Sequence, residues 1–164
     1  MNSAMIFILF GTFLHQIAAV ADQQSNIWQI VNKDDRLKIL AMALKAADLE
    51  DAASQQKPIV TAFAPNDAAF NKVPNDIADR LSDPKNKDEL AQLLSYHVIE
   101  GRNLTSSELL KMNLPARLQT ATGGFITITK QGNEIKINNA TIIESDILAS
   151  NGIIHIIDSV LMPS

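Results

Sequence analysis

Two stretches decide the fold: Thr61-Ala-Phe-Ala-Pro-Asn-Asp-Ala-Ala-Phe70 and Asn151-Gly-Ile-Ile-His-Ile-Ile-Asp-Ser-Val-Leu-Met-Pro163. The first, called the first box, begins with β-branched and aromatic residues that favour a strand. The predicted strand runs from Ile59 to Phe63, and Ala64-Pro65 should leave it, because proline has no N–H to donate to a neighbouring strand. Asn66 then suits a helix N-cap, with Asp67 in the first turn. The first box therefore predicts a strand that turns directly into a short helix.

The second stretch, called the second box, opens with Asn151-Gly152. This dipeptide favours a type I′ hairpin turn, in which both central residues have positive φ. We expect the turn to join strands at 141–149 and 153–161. Apolar residues occupy both faces of the second strand, which is typical of a central strand covered on each side.

We interpret both boxes first as folding elements, and we expect Phe63, Phe70 and Ile156 to share one core. His97 is a polar ring in an apolar segment and needs a hydrogen-bond partner. We predict that this partner is Asp67, which would clamp the first box. The residues given a structural role are Thr61, Phe63, Pro65, Asn66, Asp67, Phe70, Asn151, Gly152, His155 and Asp158.

Helix signals fill the front half of the chain and strand signals the back half. Ser25 is the predicted cap of a helix over 26–32, and Asp34 or Asp35 that of the next. Tyr96-His97-Val-Ile99 is read as a strand, and period-two segments begin near residue 114. This order predicts an α+β domain.

The first box, the Tyr96-His97 segment and the second box, in this order, resemble the fasciclin (FAS1) domain from about Asn26 to Pro163. The resemblance implies a compact β-sandwich with helices packed along one side. It also implies an adhesion module, secreted or displayed on a surface, rather than an enzyme.

Residues 1–21 differ in composition from the rest: Met5–Leu14 is almost entirely apolar, and Ala19-Val-Ala21 suits signal peptidase. We predict a cleaved signal peptide over 1–21 and one fasciclin domain over 22–164. An uncleaved membrane anchor is the alternative. The protein is expected to be secreted, or periplasmic or on the cell surface if the source is a bacterium.

Composition and motifs argue against several functional classes. The net charge of −4 with interspersed signs disfavours nucleic-acid and anionic-membrane partners, and no stable membrane insertion is expected. The chain has no cysteine, no G-x-S-x-G motif and no phosphate-binding glycine loop. His97 and His155 are read as packed core residues, so we expect no enzyme activity, metal or cofactor. A hydrolase with two facing carboxylates is the remaining enzymatic alternative.

In animal matrix proteins of the fasciclin family, integrin recognition is attributed to a Tyr-His segment and to an Asp-Ile element. The matching residues here are Tyr96 and His97, and Asp146 and Ile147; Ser145 departs from the usual proline or lysine. A carboxylate beside an apolar residue suits a receptor that coordinates Asp through a metal ion. We favour Asp146-Ile147, because the apolar neighbours of Tyr96 indicate burial. Asp146→Ala is expected to leave folding near wild type.

The resemblance thus predicts binding to cell-surface or matrix proteins, integrin-like receptors among them. A polysaccharide-binding module is the alternative, which exposed aromatic residues would support. Phe63, Phe70, Tyr96 and Phe125 are expected on core faces instead. A single copy predicts weak monovalent binding unless the protein self-associates. Asn103 and Asn139 lie in glycosylation sequons, with Asn103 the more accessible.

Overall fold

The computed structural model of the chain describes residues 25–163. The predicted signal peptide and the expected mature start at Asp22 lie outside the described residues. The helices are α1 (Ile27–Lys33), α2 (Lys38–Ala46), α3 (Glu50–Ser54), α4 (Asp67–Asn71), α5 (Asn75–Ser82), α6 (Lys87–Ser95) and α7 (Ser106–Leu110), with a 3-10 turn (Pro84–Asn86) before α6. The strands are β1 (Val60–Pro65), β2 (Val98–Glu100), β3 (Ala116–Gln119), β4 (Phe125–Gln131), β5 (Glu134–Ile137), β6 (Ala140–Ala149) and β7 (Gly152–Ile157).

The helix starts follow local capping chemistry, with two corrections. Asn26, not Ser25, caps α1: its side chain accepts from Gln29 N at 2.8 Å, and the Gln29 side chain accepts from Asn26 N at 2.9 Å. Helix α2 has no side-chain cap of its own. Instead Asp67, from the first box, accepts from Ile39 N at 2.8 Å. A cap from the distant first box replaces the predicted one at Asp34 or Asp35.

The seven strands form a sheet in the order β2-β1-β7-β6-β5-β4-β3. Strand β7 runs parallel to β1 and antiparallel to β6, so the second box is a central strand, as predicted. All six residues of β7 are buried. Strand β6 is ten residues long and pairs with β7 on one side and, near its start, with β5 on the other.

Two apolar cores lie on opposite sides of β1 and β7. The sandwich core fills the space between the two halves of the sheet and includes Phe63, Ile126 and Ile157. The helical core lies between the sheet and the helices and includes Ile154 and Ile156, with Phe70 packed against it. The prediction of one shared core was therefore wrong: Phe63 is separated from Phe70 and Ile156, because neighbouring strand residues alternate between faces.

Three local predictions were also wrong. Pro65 stays within β1, opposite Ile157, because Asn66 N makes the next bond to Ile157 O at 3.2 Å. Ala149 pairs with Gly152, so Ser150 and Asn151 form the hairpin turn. Asn151 does not have positive φ, and the turn is not type I′.

Tyr96 and His97 follow the end of α6 rather than forming a strand. No helix within residues 25–163 is long and apolar enough to cross a membrane.

Candidate protein-binding surface

His97 is a structural residue that fastens α6 to the end of the second box. Its ring is buried: Nδ1–H donates to Leu93 O at 2.8 Å, and Nε2 accepts from Leu161 N at 2.8 Å. Burial lowers the pKa of His97 from 6.5 to about 4, so the ring is neutral at pH 7. Neither nitrogen reaches Asp67, and the predicted clamp on the first box was wrong.

Tyr96 is also occupied within the fold. Its side chain is buried in the sandwich core, and its hydroxyl donates to Phe125 O at 2.6 Å and accepts from Asn138 Nδ2 at 3.3 Å. A buried ring with a paired hydroxyl offers little to a partner protein. The structure therefore disfavours Tyr96-His97 as a contact site.

The first box holds its corner through side chains that bond to backbone. Asn66 caps α4 by accepting from Ala69 N at 2.8 Å. Thr61 is fully buried; its hydroxyl donates to Arg102 O at 2.7 Å and accepts from Leu104 N at 2.8 Å. These contacts fix the loop after β2 against β1.

The second box begins with a buried asparagine and a glycine that has no room for a side chain. Asn151 Oδ1 accepts from Ile27 N at 2.9 Å, and its amide donates to Ala53 O and Gln55 O, both at 2.9 Å. A Cβ at Gly152 would lie 1.9 Å from the Val60 backbone oxygen. Only glycine allows β7 to approach β1 this closely.

His155 connects the second box to the loop after β2 and to strand β6. Its ring is fully buried and stacks on Phe63, with centroids 5.7 Å apart. Nε2–H donates to Leu104 O at 2.7 Å, and Nδ1 accepts from Asp146 N at 3.2 Å. Burial lowers its pKa, which favours the neutral tautomer that this arrangement needs. Further along, Asp158 accepts from Thr141 N at 2.8 Å.

Asp146 lies on an irregular part of β6, and its carboxylate is not free. The pairing with β7 shifts register between Ile142 and Ile147, and Asp146 has φ of 63°. The carboxylate accepts from Ser106 N at 2.7 Å and Ser106 Oγ at 2.5 Å, at the start of α7. Partial burial acts to raise its pKa, but the bonds from Ser106 outweigh this effect and the pKa is lowered. Asp146 is therefore ionised at pH 7, exposed and fixed in place.

Ile147 faces the other way. It pairs with Ile154 and packs, half-buried, against the helical core. The exposed apolar residues of β6 on either side of Asp146 in the sequence are Ile143 and Leu148, which are 51% and 48% exposed. The sequence did not reveal these two, because the register shifts break the alternation that assigns faces. We call Ile143, Asp146 and Leu148 the β6 surface.

A further carboxylate beside this surface is already paired. Arg36 bonds Asp34 at 2.8 Å and also binds Glu144 of β6. The bond from Arg36 lowers the pKa of Asp34. This ion pair connects the α1–α2 loop to β6 and leaves Asp146 as the carboxylate of the β6 surface.

Ser106, Asp146 and His155 are the residue types of a serine hydrolase, but their arrangement is different. Ser106 bonds the carboxylate of Asp146 rather than the ring of His155, and both ring nitrogens are occupied by backbone. The ring cannot act as the base for the serine. Within residues 25–163 there is also no group of three His, Cys, Asp or Glu residues placed to hold a metal ion.

Two surface predictions need correction. Phe125, expected on a core face, is 46% exposed, and the Arg117 guanidinium lies 4.5 Å from its ring centroid. Asn139 is exposed, as is Asn103, so Asn103 is not singled out by accessibility. Glycosylation of either residue stays a prediction.

The family is decided by a match to the Fasciclin domain model over residues 35–163. The chain belongs to the fasciclin family. Relatives include Protein sll1483 of Synechocystis sp., which is 34% identical over 88% of this chain and 77% of its own length. Periostin of Homo sapiens is 30% identical over 92% of this chain, but the match spans only 17% of periostin.

The fold comparison agrees. A structure of a FAS1 domain pair from the insect cell adhesion molecule Fasciclin I matches with a TM-score of 0.71 and 19% identity. The match covers 84% of this chain and 51% of that one. The predicted α+β fasciclin fold is confirmed, and both boxes lie within the matched family region.

Proposed function

We propose that this protein is a secreted fasciclin domain that binds proteins at a cell surface or in an extracellular matrix through the β6 surface. One observation carries the proposal. Exposed Ile143 and Leu148 lie on the same strand as an ionised carboxylate, Asp146, that Ser106 holds in a fixed orientation. A fixed carboxylate with apolar neighbours gives a partner both hydrophobic area and a directional contact.

The chemistry of this surface suits a receptor with a bound divalent cation. An ionised carboxylate has about four lone-pair sites, and Ser106 uses two of those on Asp146. The remaining sites can coordinate Ca²⁺ or Mg²⁺ held by an integrin-like partner. Because the orientation is fixed before binding, little conformational entropy is lost when the contact forms. Burial of Ile143 and Leu148 would contribute about 1 kcal/mol each, since they are already half-buried.

The test is attachment of cells from the source organism to wells coated with the mature domain. Ile143→Ser with Leu148→Ser should reduce attachment at least fivefold, since both apolar contacts are lost. Asp146→Asn should also reduce it, because an asparagine amide can keep both bonds to Ser106 while removing the charge.

Met42→Ser is the matched control, since Met42 is 61% exposed and lies on α2, a separate element. Circular dichroism melts would show that each variant is folded. Full attachment by the folded double-serine variant would refute the β6 surface. An equal loss of cell attachment in Met42→Ser would show that attachment does not depend specifically on the β6 surface.

Polysaccharide binding is the second candidate, favoured by exposed Phe125. One face of this ring is covered by Arg117, so a sugar would stack on the other face. A glycan array with the wild type and Phe125→Ser separates the two functions. Glycan binding that Phe125→Ser removes, with no protein-dependent attachment, would favour the second candidate.

A further inference from the structure

A cavity of about 190 Å³ lies on the helical side of the sheet, apart from the β6 surface. Its walls come from α1, α2, α6, β1 and β7, through Val31, Leu40, Leu44, Ala62, Leu94 and Ile154. Exposed Gln55, Lys57 and Glu100 also line it, which places its opening at the solvent. The inner walls are therefore mostly apolar, and most of the charged and polar residues are at the mouth.

Away from the mouth, the polar residues that line the cavity are His97 and the half-buried Ser95. His97 is among the lining residues, but both of its nitrogens already have partners. Across residues 25–163, every buried side-chain nitrogen and oxygen has a hydrogen-bond partner. A polar group that entered would lose its bonds to water without replacement, at a cost of about 1–3 kcal/mol. Water itself needs polar partners to occupy such a site, so the cavity favours apolar contents.

Size narrows the ligand class. An apolar cavity of roughly 150 Å³ remains dry and binds benzene. The volume here is slightly larger, about 190 Å³, and admits one aromatic ring with a small substituent. We propose that this cavity between helices α1, α2 and α6 and strand β1 binds small uncharged apolar molecules of single-ring size.

The first test uses benzene as the probe and methyl NMR spectra of the mature domain. Saturable shifts are expected at Val31 and Ile154, which line the cavity, and not at Ile126 and Ile128 of the sandwich core. No saturable shift at the wall methyl groups would overturn the proposal. Equal shifts in both cores would also overturn it, because they would indicate general solvation.

The second test fills the cavity. Ala62 pairs with Ile154 in the sheet, and both residues line the cavity. Ala62→Leu adds volume there and should weaken benzene binding at least tenfold. Its thermal midpoint should stay the same or rise, because the added atoms occupy empty space. Ala43→Leu is the control, since Ala43 lines a different groove between α2 and α5, and benzene affinity should not change.

Wild-type benzene affinity in Ala62→Leu would overturn the proposal. Should that variant not fold, Ala64→Val on the same face is the smaller substitution to test. Ala64 lines the same cavity, so Ala64→Val should also weaken benzene binding at least tenfold.

Discussion

Acidification should destabilise this protein through His97, and His97→Gln should remove that sensitivity. The unfolded ring takes up a proton below pH 6.5, whereas the folded ring does so only near pH 4. Between these values acid therefore favours the unfolded state. The difference between the pKa values of His97 in the unfolded and folded states corresponds to about 3 kcal/mol of stability. About 2 kcal/mol of this stability is lost between pH 7 and pH 5.

The assay is urea unfolding at pH 7, 6 and 5, followed by circular dichroism. His97→Gln keeps an acceptor for Leu161 N but does not titrate, so its free energy of unfolding should start lower at pH 7. Between pH 7 and pH 5, the free energy of unfolding of His97→Gln should decrease by about 2 kcal/mol less than that of the wild type. His155 is present in both proteins, so its own contribution cancels in the difference.

An equal loss of stability in both proteins between pH 7 and pH 5 would refute the assignment of His97 as a buried, neutral structural residue. Attachment at pH 7 should be unchanged in folded His97→Gln. A folded variant that no longer supports attachment would restore Tyr96-His97 as a contact site.

Four further substitutions, at three positions, test the contacts around the second box by urea unfolding. Gly152→Ala should lower the free energy of unfolding by about 4 kcal/mol or more, because its Cβ would overlap Val60 O. Near-wild-type stability would mean that β1 and β7 are not this close. Asn151→Ala should cost about 3 kcal/mol through three lost hydrogen bonds, and a loss below about 1 kcal/mol would contradict this. Asp146→Ala should lower the free energy of unfolding by about 2 kcal/mol, because it loses both bonds to Ser106 and places alanine at positive φ. Asp146→Asn should lower it by less than about 0.5 kcal/mol. Equal losses in the two variants would contradict the role of these bonds.

Local chemistry in the sequence was enough to predict much of the fold. Asn66 caps the helix that its position indicated, since capping depends on residues within one turn. The burial of β7 followed from apolar residues on both faces. The family resemblance rests on short-range signals of this kind, which is why it agrees with the structure.

Long-range partners were not visible in the sequence. Asp67 looked like a local helix residue, yet it caps α2 through Ile39 N. His97 needed a partner, but only the fold shows that Leu161 N supplies it. Such pairings depend on which strands become neighbours, and single-residue chemistry does not specify that.

The proposed binding surface was only partly predicted, for a related reason. Asp146 was identified through the resemblance, but its hydrogen bonds to Ser106, a residue 40 positions away, were not foreseen. Ile147, its predicted apolar companion, packs inward, while Leu148 is exposed. The register shifts in β6 reassign these faces, and a bulge leaves no clear period in the sequence.

The most direct test of the β6 surface places a photo-crosslinking amino acid at Leu148 of the mature domain on intact cells of the source organism. We predict discrete crosslinked adducts that disappear when the cells are first treated with trypsin, and far fewer adducts with the same group at Met42. Adducts at both positions alike, or none at Leu148, would contradict the proposal that this strand is where the protein meets its partner.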